Sequence, residues 1–195
     1  MTKRVKKVKP SDPETIMGFD ISSVCVGFAL FECGEPKVYG KLVLEGKYAG
    51  EKLSDFHTKA KRLLATHKPD LVIVEKPFRG QGRAFEVLVQ YHAALKMALH
   101  EVLGKPLLPE HGLTPRQVKK ALEDENESAT KRKSRKPLTN NKDHATNKKN
   151  MVHRINQLYG LRLRYKEGDT SKTISDDDTA DAIAVVHAWL LLRNG

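Results

Sequence analysis

A chain of 195 residues with 39% hydrophobic side chains is long enough to bury one full core, and its longest apolar run, residues 188–192, is far too short for a membrane-spanning helix. The net charge of +11 is concentrated: residues 1–10 carry five basic and no acidic side chains (+5), and residues 131–149 carry eight basic against Asp143 alone (+7). The other 166 residues therefore sum to −1, a near-neutral body with two basic tracts of the kind that bind polyanions such as nucleic acid.

Cys25 and Cys33 are the only cysteines and have neither CxxC spacing nor a nearby His. No zinc site or disulfide framework is expected, and both read as packed, reduced thiols. The basic N-terminus has no apolar run behind it, so the chain is predicted to be intracellular and not secreted. Residues 1–14 form a basic arm, and 15–195 a single domain. Ile16 to Asp20 and Val24 to Phe31 are short Ile-, Val- and Phe-rich runs around a polar turn, which predicts a β-hairpin. Gly34-Glu35-Pro36 predicts the next turn and Val38–Leu44 a third strand. Lys52–His67 has Leu53, Phe56, Ala60, Leu63 and Leu64 on one helical face, and Lys68-Pro69 ends it. Leu71-Val72-Ile73-Val74-Glu75 reads as a strand buried on both faces.

Arg83–Leu103 is a second helix, apolar almost all round, which implies either full burial or a face shared with another subunit. Leu107-Leu108 is a candidate short strand. Thr114-Pro115-Arg116-Gln117 carries the marks of a helix start, and that helix is predicted to reach about Leu122. Residues 123–147 lack apolar periodicity and are predicted to form a basic, mobile insertion. A helix over Lys149–Tyr159, an irregular stretch over Leu161–Ser175 and a last helix from Asp176 to about Leu192 complete an α/β domain with a mixed sheet.

Carboxylates end two of these strands. Asp20, taken alone, is better explained as a turn cap than as a ligand. Glu75 repeats the pattern, however, and Asp178 and Asp181 stand at i and i+3 on the last helix. Asp178 also suits a helix cap, whereas Asp181 lies between Ala180 and Ala182 in an apolar helix. Carboxylates gathered at one sheet edge repel one another and take up protons or cations. Hard divalent cations with oxygen ligands are the natural occupants, and two such ions support phosphodiester cleavage. An acidic metal site together with basic tracts indicates a nuclease.

Gly18-Phe19-Asp20 with Gly27-Phe28-Ala29, then Ile73 to Phe78, then Leu113 to Lys119, then Asp178 to Ala184, resemble in order and spacing the RuvC-type Holliday junction resolvases of the ribonuclease H-like superfamily. The resemblance implies a ribonuclease H-like fold with a mixed five-stranded central sheet flanked by helices. It makes Asp20, Glu75, Asp178 and Asp181 the catalytic, metal-binding set for Mg²⁺, with Mn²⁺ as substitute and two ions per site. It also implies a homodimer that nicks two strands of branched DNA, with Phe78 stacking near the branch point and Lys119 at the backbone. Arg79, Arg83, Lys120, Lys148 and Lys149 are the further candidate DNA contacts. Ile21-Ser22 stands where the family has Pro-Gly, and the long basic insertion is unusual; both point to a divergent member, such as a viral or phage one. An RNA-processing nuclease and a non-catalytic DNA-binding module are the competing readings. A sugar-kinase or actin-like ATPase would need a Gly-rich phosphate hairpin, and Ser22–Val26 lacks the glycines.

Overall fold

Strands that are apolar on both faces need a helical layer on each side, and the computed structural model of this chain has that arrangement. It describes residues 14–77, 82–127, 142–169 and 174–194. Strands β1 (Thr15–Ile21), β2 (Cys25–Glu32), β3 (Glu35–Val43), β4 (Leu71–Glu75) and β5 (Gly112–Leu113) form one sheet in the order β3-β2-β1-β4-β5. β1, β2 and β3 are antiparallel neighbours, whereas β4 runs parallel to β1 and β5 parallel to β4. The helices are α1 (Ala49–His67), α2 (Arg83–Leu103), α3 (Pro115–Glu127), α4 (Lys142–Tyr159) and α5 (Asp177–Asn194). The expected mixed five-stranded α/β sheet is present. Among the described residues no helix is long and apolar enough to cross a membrane.

Side-chain alternation divides the core in two. Met17, Phe19, Leu30, Val72 and Val74 pack with Phe56 and Leu64 of α1 and Tyr91 and Leu95 of α2. Ile16, Ala29, Phe31 and Ile73 face the other way, onto Val118 of α3, Ile155 of α4 and Ile183 and Val186 of α5. The apolar surplus of α2 is thus largely absorbed by the sheet and by α1, where the Phe56 and Tyr91 rings lie 5.5 Å apart. Val89 and Met97 remain exposed.

Two glycines set how closely α5 lies on the sheet. A Cβ at Gly18 would stand 2.4 Å from Val186 Cγ2, and one at Gly27 would stand 1.8 Å from the Asp178 carbonyl oxygen. Gly27 faces Asp20 across the β1–β2 ladder, so this contact sets the depth of the α5 N-terminus beside Asp20. Gly27→Ala must push backbone away. We expect a loss of about 3 kcal/mol, the upper end for overpacking a core, read as a fall in Tm of about 6–12 °C.

Several local expectations need correction. The β2–β3 turn is Cys33-Gly34, both at positive φ (52° and 83°), and Pro36 already belongs to β3. Two left-handed residues give the twist that a tight hairpin requires. Cys33 is consequently exposed and only Cys25 is packed; neither forms a disulfide. Leu107-Leu108 is not a strand: Leu108 leads into a 3₁₀ turn at Pro109–His111, and the strand is Gly112–Leu113. α1 begins at Ala49, where the Glu51 carboxylate accepts the backbone N–H groups of Lys47 and Tyr48. The Thr114 start of α3 is as expected, with the Gln117 amide oxygen accepting from the Thr114 N–H at 2.9 Å. α3 continues to Glu127 and α4 begins at Lys142, so both ends of the 123–147 insertion are helical. Residues 1–13, residues 128–141 of the basic insertion, and Phe78 and Arg79 lie outside the described residues.

Candidate active site

The hairpin at Ser22-Ser23 decides the role of Asp20. Ser22 Oγ accepts the Cys25 N–H at 3.1 Å, so Ser22 closes the turn. Asp20 stays inside β1, on the sheet face that carries α5. Phe19 pairs with Val74 in the parallel β1–β4 ladder, so the next residues, Asp20 and Glu75, emerge side by side. Glu75 is the last residue of β4 and pairs with Leu113 of β5. Asp181, one turn into α5, is the only partly exposed residue between Ala180 and Ala188. These three carboxylates line one cavity of about 260 Å³, closed on its far side by Pro115, Val118 and Lys119 of α3 and Lys148 and Met151 of α4.

Enclosure and mutual repulsion hold these carboxyls far from their ordinary behaviour. Burial is the main cause of the rise of Asp20 well above the usual carboxylate range, and the charges of Asp181, Glu75 and Asp178 add to it. Burial lifts Glu75 to about 7, against a smaller opposing pull from Lys119. Asp181 also rises to about 7 through burial, with Lys148 opposing and Glu75, Asp178 and Asp177 reinforcing. Asp178 is buried in the first turn of α5 and does not line the cavity, although its charge reaches both aspartates. Asp176 caps the helix, its carbonyl accepting the Ala180 N–H at 2.9 Å.

Lys119 and Lys148 stand within the acidic cavity. The Lys148 ammonium donates to the Asp177 carboxylate, tying α4 to the start of α5. The partnership joins residues 29 apart, and Asp177 read alone is one more acid in a helix cap; no local sequence signal marks it. Lys41 of β3 was also missed. It donates to the Ser175 carbonyl and lies 3.6 Å from Asp176, which holds the approach to α5 against the sheet. Arg83, Lys120 and Lys149 are exposed and do not enter the cavity.

The oxygen donors facing the cavity are carboxylates, which suit a hard divalent cation. Among the described residues no three Asp, Glu, His or Cys side chains form a ready metal-holding cluster. A cation here would therefore complete its shell with water and substrate oxygens, which is how Mg²⁺ is commonly held. The residues fit on those terms.

A parallel β1–β4–β5 core extended by an antiparallel hairpin edge, with carboxylates at adjacent strand ends and on a crossing helix, defines a ribonuclease H-like α/β architecture. Neither a protein-family profile nor a curated relative matches the chain by sequence. Solved structures do match: Thermus thermophilus RuvC in complex with a Holliday junction substrate has a TM-score of 0.64 at 17% identity, covering 92% of this chain and 94% of that one. A second structure of Thermus thermophilus RuvC has a TM-score of 0.60 at 16% identity, covering 92% and 95%. The chain has the RuvC-like fold. These neighbours lend no support to a viral or phage origin.

Proposed function

We propose that the chain is a divalent-cation-dependent endonuclease that resolves four-way DNA junctions, and other branched DNA, by paired nicks. The observation that carries this reading is the convergence of Asp20, Glu75 and Asp181, from two adjacent strands and a crossing helix, on one cavity that also holds Lys119 and Lys148. The RuvC-like fold, shared with a protein solved on a Holliday junction substrate, supports the choice of DNA structure.

Asp20, Glu75 and Asp181 would hold Mg²⁺ or Mn²⁺, two ions per site, with Asp178 contributing from beneath as the fourth carboxylate. Bound there, the ions supply activation of a water and stabilisation of the leaving oxygen. Lys119 and Lys148 hold the scissile strand by its phosphates, against the repulsion of the carboxylates. Arg83, Lys120 and Lys149 extend that grip outside the cavity, and Phe78 and Arg79 follow Glu75 closely enough in the chain to act at the branch point. Incubating a synthetic four-way junction with the protein, with and without Mg²⁺, tests the reading. Paired nicks that need the metal are expected, and an uncut junction at saturating protein would refute it.

Paired nicking implies two sites related by a two-fold axis. The chain is expected to sediment as a homodimer with α2 at or beside the interface, where Met97 is 57% exposed. A chain that remains monomeric at micromolar concentration, alone and on the junction, would remove the dimer from the proposal.

The basic insertion is assigned to affinity. Neutralising Lys131, Arg132, Lys133, Arg135 and Lys136 removes five charges and should weaken junction binding and flatten its salt dependence by about 4–5 units of log–log slope. Single-turnover cleavage at saturating protein should change far less, because Asp20, Glu75 and Asp181 lie on the folded body. Unchanged affinity with a displaced cut would instead place the insertion over the scissile phosphate.

A further inference from the structure

Between α4 and α5 the chain alternates apolar and basic residues, and burial alternates with them. Leu161, Leu163 and Tyr165 are half-buried against the core under α4 and α5, whereas Arg162, Arg164 and Lys166 are exposed. Alternation with period two belongs to an extended backbone with one wet side, yet this segment is part of none of the five strands.

Side chains hold its backbone in place of a sheet. Asn156 of α4 brackets Leu163, donating to its carbonyl at 2.9 Å and accepting its N–H at 2.8 Å. Asp176 brackets Arg164: its carboxylate accepts the Arg164 N–H at 2.9 Å, and its own N–H donates to the Arg164 carbonyl at 2.7 Å. An ordinary surface connection leaves such groups to water. The basic residues are thus presented from a braced backbone, roughly 6.6 Å apart at two residues' rise each. That is close to the separation of neighbouring phosphates along one DNA strand.

The row also leads to the acidic cavity. α4 and α5 run side by side in the same direction, with Lys148 on Asp177 at one end and Tyr159 Oη 2.6 Å from His187 Nδ1 at the other. Residues 161–166 return along them from the Tyr159 end and meet Asp176 immediately before α5. The neighbouring acids are engaged on the inner side. Asp169 accepts the N–H groups of Ile174 and Ser175 at 2.7 Å each. Asp176 lies 3.6 Å from both the Lys41 ammonium and the Arg164 guanidinium, whose side chain stays 69% exposed. Glu167 is exposed, beyond the row in the turn with Gly168.

We propose that Arg162, Arg164 and Lys166 form a track for the sugar–phosphate backbone of one duplex arm of branched DNA, leading away from the acidic cavity. Contacts of this kind set the position of a duplex without reading its sequence. A single strand is disfavoured because Tyr165, the aromatic residue of the segment, faces the core and leaves nothing for an unpaired base to stack on. An acidic protein would need apolar contacts beside the charges, and Leu161 and Leu163 are turned inward. The track lies on the sheet face opposite α2, so a dimer through α2 leaves it open. It deepens the proposed function and rests on the reading that the chain binds branched DNA.

The test is equilibrium binding of a long-armed four-way junction by the full chain in chelator. Arg162→Gln with Lys166→Gln should weaken binding by about tenfold, the size expected for two solvent-exposed charge contacts, and lower the log–log salt slope by about 2 units. Both side chains are exposed, so Tm should stay unchanged. Removing two charges from α1 on the other face, by Lys52→Gln with Arg62→Gln, should cost no more than about twofold, since exposed charges beyond contact distance are screened. Neutral methylphosphonate linkages placed singly along one arm should weaken wild-type binding at two or three consecutive positions, and the row variant should be insensitive at those positions. Equal losses in the two double variants, or no position whose effect vanishes in the row variant, would overturn the inference and leave the nuclease reading intact. A row effect on binding without metal-dependent nicking would sink the nuclease reading and leave the track standing. A wild-type chain that binds no junction at all would overturn both.

Discussion

Asp20→Asn, Glu75→Gln and Asp181→Asn, made one at a time, are expected to abolish metal-dependent junction cleavage while leaving junction binding intact or tighter. Each side chain lines the cavity directly. Removing a partner that merely orients a metal ligand costs about 10–100-fold, so loss of a carboxylate facing the ion should cost more than a hundredfold. Binding responds in the opposite sense because each substitution removes a negative charge that faces DNA phosphate. Asp178→Asn should be milder, since Asp178 is buried and acts on the cavity only through its charge. The measurements are single-turnover cleavage and equilibrium binding of the same four-way junction. A near wild-type rate in any of the first three variants would remove that residue from the proposed ligand set.

The carboxylates were legible in the sequence because each interrupts an apolar run. Asp20 and Glu75 end apolar runs in strands, and Asp181 breaks an alanine-rich helix. Burial of an acid is costly enough to be informative. Their convergence was less legible, since Asp20 alone reads as a turn cap. What frees it is Ser22, which takes over the turn through one hydroxyl. The fold followed from periodicity, and it failed where periodicity is weakest. β5 is two residues long and exists only because β4 offers it an edge, so Leu107-Leu108 looked the better strand. The ends of the basic insertion carry no apolar stripe that would announce a helix, yet α3 and α4 extend into it. Lys148 was visible as a basic residue, but its place in the acidic cavity depends on Asp177, 29 residues away.

The same cavity should make the metal-free protein more stable in mild acid than in mild base. Glu75, held at about 7 in the folded chain against an ordinary value of 4.5, is ionised in the unfolded chain at pH values where the folded chain keeps its proton. The folded state therefore binds more protons between those values, and stability falls as pH rises from 4.5 through 7 and then levels off. Asp181 acts in the same sense between its ordinary 3.8 and about 7, and Asp20 adds to it. For Glu75 alone the penalty above pH 7 is on the order of 3 kcal/mol. His92 works against this trend: held near 4 rather than 6.5, it costs stability as pH falls below about 6.5. The raised carboxyls outnumber His92, so the metal-free protein should lose stability as pH rises from about 5 through 7, with several degrees of Tm lost between pH 6 and pH 8. At pH 8, Glu75→Gln should raise Tm by about 6–12 °C, at about 2–4 °C per kcal/mol for a chain of this size. Mg²⁺ should raise the wild-type Tm at pH 8, because a ligand that binds only the folded state stabilises it. It should raise that of Glu75→Gln far less. These are thermal-unfolding measurements in chelator and in Mg²⁺, independent of any cleavage assay. A metal-free Tm that is flat or rises from pH 6 to pH 8, or a Glu75→Gln variant less stable than wild type at pH 8, would mean that the three carboxylates do not share one low-dielectric cavity.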